Sequence, residues 1–261
     1  MPASLTWREK LECAKACGYD FVEISIDEKD DKLARLDWSA DERRDLVALM
    51  EEVGIPIRSM CLSGHRKYPL GASDPAVQQR SMEIMEKAIQ LAGYDVYYED
   101  STPQTKANFI HNLKTAAEMA AVKGFVMGFE TMETDFMNTT WKSMFYVNMV
   151  NSPYLGVYPD SGNLTNAAVS YGINVLDDLE SGRDHIVALH LKETVPGKFR
   201  EIPFLTGHVD FPAVIAKAWD LGVRRYVTEM RDVGKPTWKE DIIFANTQMR
   251  ALLDQQQSRL S

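Results

Sequence analysis

At 261 residues, with 45% hydrophobic and 26% charged side chains, the chain has the composition of a soluble globular protein able to bury a large core. Its net charge of −9 argues against nucleic acid as the main partner, since phosphate backbones need a basic face. A small phosphorylated substrate remains open, because a few backbone N–H groups and one or two cations suffice for it. No basic-then-apolar leader opens the sequence and no apolar run reaches ~18 residues, so no membrane partner and a cytoplasmic setting are expected. The three cysteines fit that setting: Cys13 and Cys17, one helical turn apart on an apolar stripe, read as buried thiols, with Cys61 alone.

No low-complexity stretch or Pro/Gly/Ser linker interrupts the chain, so a single domain over 1–261 is expected. Along it, helix and strand patterns alternate. A helix over 6–16 is closed by Gly18, and a strand over 19–26 leads into a charged loop over 27–37. Ser39 starts a helix to Glu52 with Glu42 as its capping-box partner, Gly54 stops it, and 55–62 is the next strand. Asp74 and Pro75 open a long helix toward Gln90, and Ser101 or Thr102 with Pro103 opens another to about Val122. Strands over 125–130, 154–160, 186–192 and 225–230 then alternate with helices near 140–149, 175–179 and 211–221, and 238–256 is a closing helix. Repeated β-then-α order means a parallel sheet.

The last four strands carry the chemical signal. They bring Glu130, Asp160, His190 and Glu229 to or near their C-terminal ends, spaced by 30, 30 and 39 residues. About thirty residues is one strand–helix unit, and one ligand at the same end of successive strands is how a parallel barrel gathers distant groups around one point. Three carboxylates and an imidazole form an O/N set for one divalent ion, Zn, Mn, Co or Mg, rather than a thiolate site. Neither GxGxxG nor GxxxxGKS appears, which lowers the open nucleotide-binding alternative. The reading is a (β/α)8 barrel, yet only six strands are evident where eight are needed.

Several segments look familiar in order along the chain: Gly18–Ser25, Ser59–Ser63, Leu91–Asp95, Tyr158–Asn163, His190–Glu193 and Gly207–Phe211. They resemble the L-ribulose-5-phosphate (L-xylulose-5-phosphate) 3-epimerases of the xylose-isomerase-like TIM barrels. The resemblance implies Glu130, Asp160, His190 and Glu229 as metal ligands, with Glu130 and Glu229 also the two catalytic bases. It implies a homodimer, and a place in sugar or ascorbate-type catabolism. Two departures stand out: the family has a strand before the segment matching 2–7, and about ten more residues, including a strand, between the positions of Gln90 and Leu91. Loss of two core strands would leave unpaired edges and a hole. The reading therefore favours residues omitted from the sequence, with a discontinuity between Gln90 and Leu91 and, before Thr6, either an empty first-strand slot or a further strand.

The expected chemistry is epimerisation beside a ketone: a proton is removed from C3, a metal-bound enediolate forms, and a proton returns to the opposite face. Lys192 and Glu193 would bind hydroxyls or orient ligands. Gly207 and His208 are further substrate-binding candidates, in a loop whose Lys198 and Arg200 could take a phosphate. His65, Arg66 and Lys67 form the alternative anion site. Glu23 is either a hydroxyl binder or a salt-bridged barrel acid, and Tyr94, Tyr97 and Tyr98 either wall a sugar pocket or pack. The rivals are an aldose–ketose (hexulose-phosphate) isomerase on the same scaffold, an endonuclease of the same superfamily, disfavoured by five histidines and the negative charge, and a catalytically inactive sugar-binding protein.

Overall fold

A computed structural model describes residues 1–88 and 99–259. The Gln90–Leu91 junction and Tyr94, Tyr97 and Tyr98 lie outside the described residues. In chain order the elements are α1 (Trp7–Ala16), β1 (Val22–Ile26), α2 (Asp30–Leu33), α3 (Ala40–Val53), β2 (Ile57–Leu62), α4 (Pro75–Ala88) and α5 (Pro103–Lys123). There follow β3 (Met127–Glu130), α6 (Thr140–Val150), β4 (Leu155–Tyr158), α7 (Ser161–Tyr171), α8 (Val175–Glu180), β5 (Leu189–Leu191), α9 (Phe211–Asp220), β6 (Tyr226–Thr228) and α10 (Trp238–Ser258). No helix among the described residues is long and apolar enough to cross a membrane.

Local chemistry sets most boundaries. Thr6 and Ser39 each form a reciprocal capping box, with Glu9 and Glu42 respectively. Thr102 caps α5 ahead of Pro103, and Gly124 closes that helix in the left-handed conformation. Two expectations are corrected. The charged stretch 27–37 is not a loop: it holds α2 and a 3₁₀ turn at Ala34–Asp37, whose Leu33 and Leu36 are buried while Asp30, Asp31 and Asp37 stay exposed. A helix also follows β4 directly. Its Gly, Asn and Thr content hid α7 from pattern reading, but Asp160 caps it by accepting the Asn163 N–H at 2.7 Å.

All six strands expected from the sequence are present, and they form two arcs. In the first, β1 pairs in parallel with β2. In the second, β3 pairs with β4 and β5 with β6, and the Val157–Ile186 and Asp160–His190 bridges join the two pairs. β4 and the segment entering β5 lie so close that a Cβ on Gly156 would sit 2.4 Å from the His185 carbonyl oxygen. Among the described residues no strand stands between β6 and β1 or between β2 and β3. The β6–β1 gap is the expected empty slot. A cavity of about 760 Å³ runs into it, past Tyr19, Val22, Tyr226 and Asn246. Tyr19 spans it, its hydroxyl 2.9 Å from Thr228 Oγ1 and donating to the Ile242 carbonyl at 3.2 Å.

The core lies between strands and helices. One cluster joins β1–β4 to α5 and α6, with Phe109 packed edge-on against Phe136 and Tyr146. A second joins β5 to α9 and α10 through Leu189, Leu191, Phe211, Ile215, Ala245 and Met249. Both sheet arcs thus face helices outward and point their strand ends into the cavity that holds the site.

Candidate active site

Each arm of the site is set by a strand end. Glu130 is the last residue of β3, Asp160 lies two residues beyond β4, His190 sits within β5, and Glu229 follows β6. One ligand-capable atom from each lies within 4.8 Å of the others. Asp160 is fully buried, His190 is 2% exposed and Glu130 8%, whereas the Glu229 side chain keeps about a third of its surface, 33%. Capping α7 occupies Asp160 Oδ1, so Oδ2 is the oxygen left facing the Lys192 ammonium, at 3.2 Å.

Charges alternate around the cluster. His190 Nδ1 is 2.9 Å from Glu130 Oε1 and 3.7 Å from Glu229 Oε2, and its Nε2 is 2.8 Å from Glu23 Oε1. Lys192 Nζ also lies 3.5 Å from Glu229 Oε2. Burial raises the pKa of Asp160 against the pull of Lys192, while burial of Glu229 is outweighed by Lys192 and His190, which lower it. For His190, burial disfavours the charged ring, but Glu23 and Glu130 more than reverse that and raise its pKa. Burial, with Glu130 and Glu23 nearby, holds Cys61 as a neutral thiol that donates to Glu130 Oε2 at 3.4 Å. Such a set of crowded carboxylates balanced by an imidazole and an ammonium is suited to hold a cation or to move protons.

The substrate-side candidates separate. Lys192 faces the cluster. Glu193 turns to the following loop, its oxygens accepting the N–H groups of Thr194, Leu205 and Val209 at 3.1, 3.0 and 3.1 Å. Gly207 packs so tightly there that a Cβ would meet the Thr194 carbonyl oxygen at 2.0 Å, and His208 Nε2 lies 3.0 Å from Thr194 Oγ1. These three brace the loop beside the cavity and do not join the cluster.

The two alternative anion loops prove to be one region. Arg200 pairs with Glu133 Oε1 at 2.6 Å and Arg66 approaches the same oxygen at 4.0 Å, and both arginines line the cavity with Glu130, His190 and Glu229. Lys198 is exposed on a turn, Lys67 pairs outward with Asp30, and His65 is fully buried. Glu133 carried no signal in the sequence, being one of two acids in the loop 131–139. Glu23 did: it is the one acid in the strand Val22–Ile26, and β pairing sets it opposite Ser59.

A parallel β/α architecture with a carboxylate–imidazole cluster at its strand ends defines a class of barrel, and the comparisons agree. The model of the Xylose isomerase-like TIM barrel family matches residues 11–247, and the chain belongs to that family. It is 46% identical over 237 residues to SgbU of Escherichia coli strain K12, provisionally assigned as an L-ribulose-5-phosphate 3-epimerase, covering 84% of this chain and 82% of that one. It is 43% identical over 222 residues to L-ribulose-5-phosphate 3-epimerase UlaE of Escherichia fergusonii, covering 81% and 77%. Among solved structures, an L-ribulose 3-epimerase superposes with a TM-score of 0.75 at 16% identity, covering 97% of this chain and 91% of that one. A D-psicose 3-epimerase crystallised with D-fructose gives 0.75 at 15%, covering 96% and 94%. At those identities the structural likeness carries the fold.

Proposed function

We propose that this chain, as one barrel domain, is a metal-dependent 3-epimerase that interconverts L-xylulose 5-phosphate and L-ribulose 5-phosphate. The observation that carries the reading is the Glu130–Asp160–His190–Glu229 cluster, with ligand atoms within 4.8 Å of one another. Four ligand-capable atoms gathered that closely from four separate strand ends would be able to hold one divalent ion. The cluster's three carboxylates and one imidazole suit Mn, Zn, Co or Mg. The 46% and 43% identical relatives, both linked by name to L-ribulose 5-phosphate, support the substrate.

When bound, the ion supplies electrophilic stabilisation of the charge that develops as the carbon beside a ketone loses its proton. Glu130 and Glu229, delivered by β3 and β6 from different parts of the sheet, would face opposite sides of that carbon and alternate as base and acid. Lys192, buried between Asp160 and Glu229, holds those two carboxylates in register. Glu193, Gly207 and His208 brace the loop beside the cavity. Arg66 and Arg200, gathered at Glu133, would take the phosphate.

The test is solvent exchange. In deuterium oxide, with Mn²⁺ supplied, the ketopentose phosphate should gain deuterium at C3. Label at C1 or C2, or an aldose formed without label by hydride shift, would make the chain an aldose–ketose isomerase, and neither label nor product would make it a sugar-binding protein. A homodimer is proposed as well. Trp141, Phe145 and Met149 form an exposed apolar stripe on α6, beside the exposed Tyr171 held by Lys142. Light scattering should give twice the chain mass, and Trp141→Glu should halve it.

A further inference from the structure

Glu23 comes from β1, in the arc that supplies none of the four clustered groups, yet it reaches the centre of the site. Its side chain is 9% exposed. The two oxygens have distinct partners. Oε2 accepts the Ser59 hydroxyl at 2.6 Å and the Tyr158 hydroxyl at 3.1 Å. Those two donors, one from β2 and one from β4, fix the carboxylate about its last torsion and leave Oε1 aimed at His190 Nε2, 2.8 Å away. Tyr158 also packs on the imidazole, ring centroids 4.3 Å apart. The other ring nitrogen, Nδ1, is the one that looks into the cluster, toward Glu130 and Glu229.

We propose that Glu23 is the positioning residue of His190: it holds the ring proton on Nε2 and so presents the Nδ1 lone pair to a cation bound among Glu130, Asp160 and Glu229. The proposal rests on the divalent-ion reading of that cluster. The physical reason is simple. A neutral imidazole carries one N–H, and a ligating nitrogen must give its lone pair to the ion. Each ring nitrogen faces a carboxylate, Glu130 at Nδ1 and Glu23 at Nε2, but only Nδ1 also looks into the cluster, so a cation held there would take the Nδ1 lone pair and leave Glu23 to keep the proton on Nε2. A carboxylate behind a histidine ligand also raises its basicity and fixes its rotamer, and removing such a partner typically weakens metal binding ~10–100-fold. Gln at this position keeps the shape but loses the charge. Its amide can also turn to donate to Nε2, which would move the ring proton to Nδ1, the wrong side.

Two readouts independent of turnover test this. Calorimetric titration with Mn²⁺ or Zn²⁺ should give Glu23→Gln an affinity at least ~10-fold below wild type, with Ser59→Ala, which removes one of the two donors to Oε2, falling between them. In cadmium-loaded wild-type protein labelled with ¹⁵N, the histidine coupled to ¹¹³Cd should show the coupling at Nδ1 and carry its proton on Nε2. Coupling at Nε2, or Glu23→Gln binding metal within threefold of wild type, would overturn the assignment. The wild-type spectrum decides the matter even if Glu23→Gln fails to fold. Wild-type protein that takes up no Mn²⁺, Zn²⁺ or Cd²⁺ would overturn the metal-dependent function as well, an outcome separate from the variant's result.

Discussion

The arcs β3–β6 and β1–β2 reach the same cavity with different contents. β3, β4 and β5 are buried at every position, and each delivers one member of the cluster at or near its end. β1 and β2 are half-buried, with an exposed residue in each, and they deliver supporting groups: Glu23, Ser59 and Cys61. β6 stands between these cases. It ends the second arc, its residues are only partly buried, and Glu229 beyond it is the most open of the four. The two ends of the second arc differ: β3 and Glu130 are buried although no described strand stands between β2 and β3, whereas β6 is half-buried and Glu229 keeps about a third of its side-chain surface, 33%.

Glu130→Gln and Glu229→Gln test that contrast with the largest expected effect. Each should lower kcat for the ketopentose phosphate by at least ~10²-fold with the fold retained by circular dichroism. An ordinary surface acid would change almost nothing. If only one of the pair matters, the two-base scheme fails, and the surviving residue identifies which arc position does the proton transfer.

The second arc was the legible part of this protein. Strands buried on both faces read as apolar runs, and the residue ending each run is conspicuous because it is the wrong type for a core. Thus Glu130, Asp160, His190 and Glu229 could be placed together from spacing alone. The first arc was less legible because its contributions are made across the sheet. Glu23 could be singled out as an acid in a strand, but only three dimensions put His190 behind it. Helix α7 was missed because Ser, Gly and Asn at its start signal a turn when read locally. The cap that overrides them is Asp160 itself, a residue already assigned to other work. Arg66 and Arg200 were read as rival sites since 134 residues part them, and a single acid, Glu133, unites them.

His65 sharpens the comparison by pH. It sits in the turn after β2, fully buried, and burial lowers its pKa from 6.5 to about 4. The folded state therefore holds the neutral ring, while the unfolded chain takes up a proton below pH 6.5. Stability from this group is complete above pH 6.5 and is lost as pH falls toward about 4. The loss across that window is roughly 3 kcal/mol at most. Urea midpoints at pH 7 and pH 5 should differ less in His65→Leu than in wild type. An unchanged difference would place the acid sensitivity in the other arc, with the carboxylates.

Smaller in effect is the phosphate end, where the arcs meet through Arg66 and Arg200. Arg66→Met or Arg200→Met should raise KM for the sugar phosphate about tenfold while leaving KM for the unphosphorylated ketose nearly unchanged. Equal changes for both substrates would show that the arginines only brace the loop through Glu133, and would favour a free ketose as the natural substrate.

The smallest change probes the gap itself. Tyr19 alone, among the hydrogen bonds of the described residues, ties the segment entering β1 to β6, through Thr228 Oγ1 at 2.9 Å. Tyr19→Phe removes that bond and the one to the Ile242 carbonyl while keeping the ring. Two partly buried groups lose a partner, so stability should fall by about 1 kcal/mol, read from the urea midpoint. Thr228 is the neighbour of Glu229, so kinetics distinguish two pictures of the open edge. If β6 is held by its pairing with β5 and by α10, kcat stays within about twofold of wild type, because the lost tether then shifts nothing at the site. A fall in kcat comparable to that of Glu229→Gln would mean that the Tyr19 tether sets the position of Glu229, and that the gap between the arcs is part of the catalytic geometry.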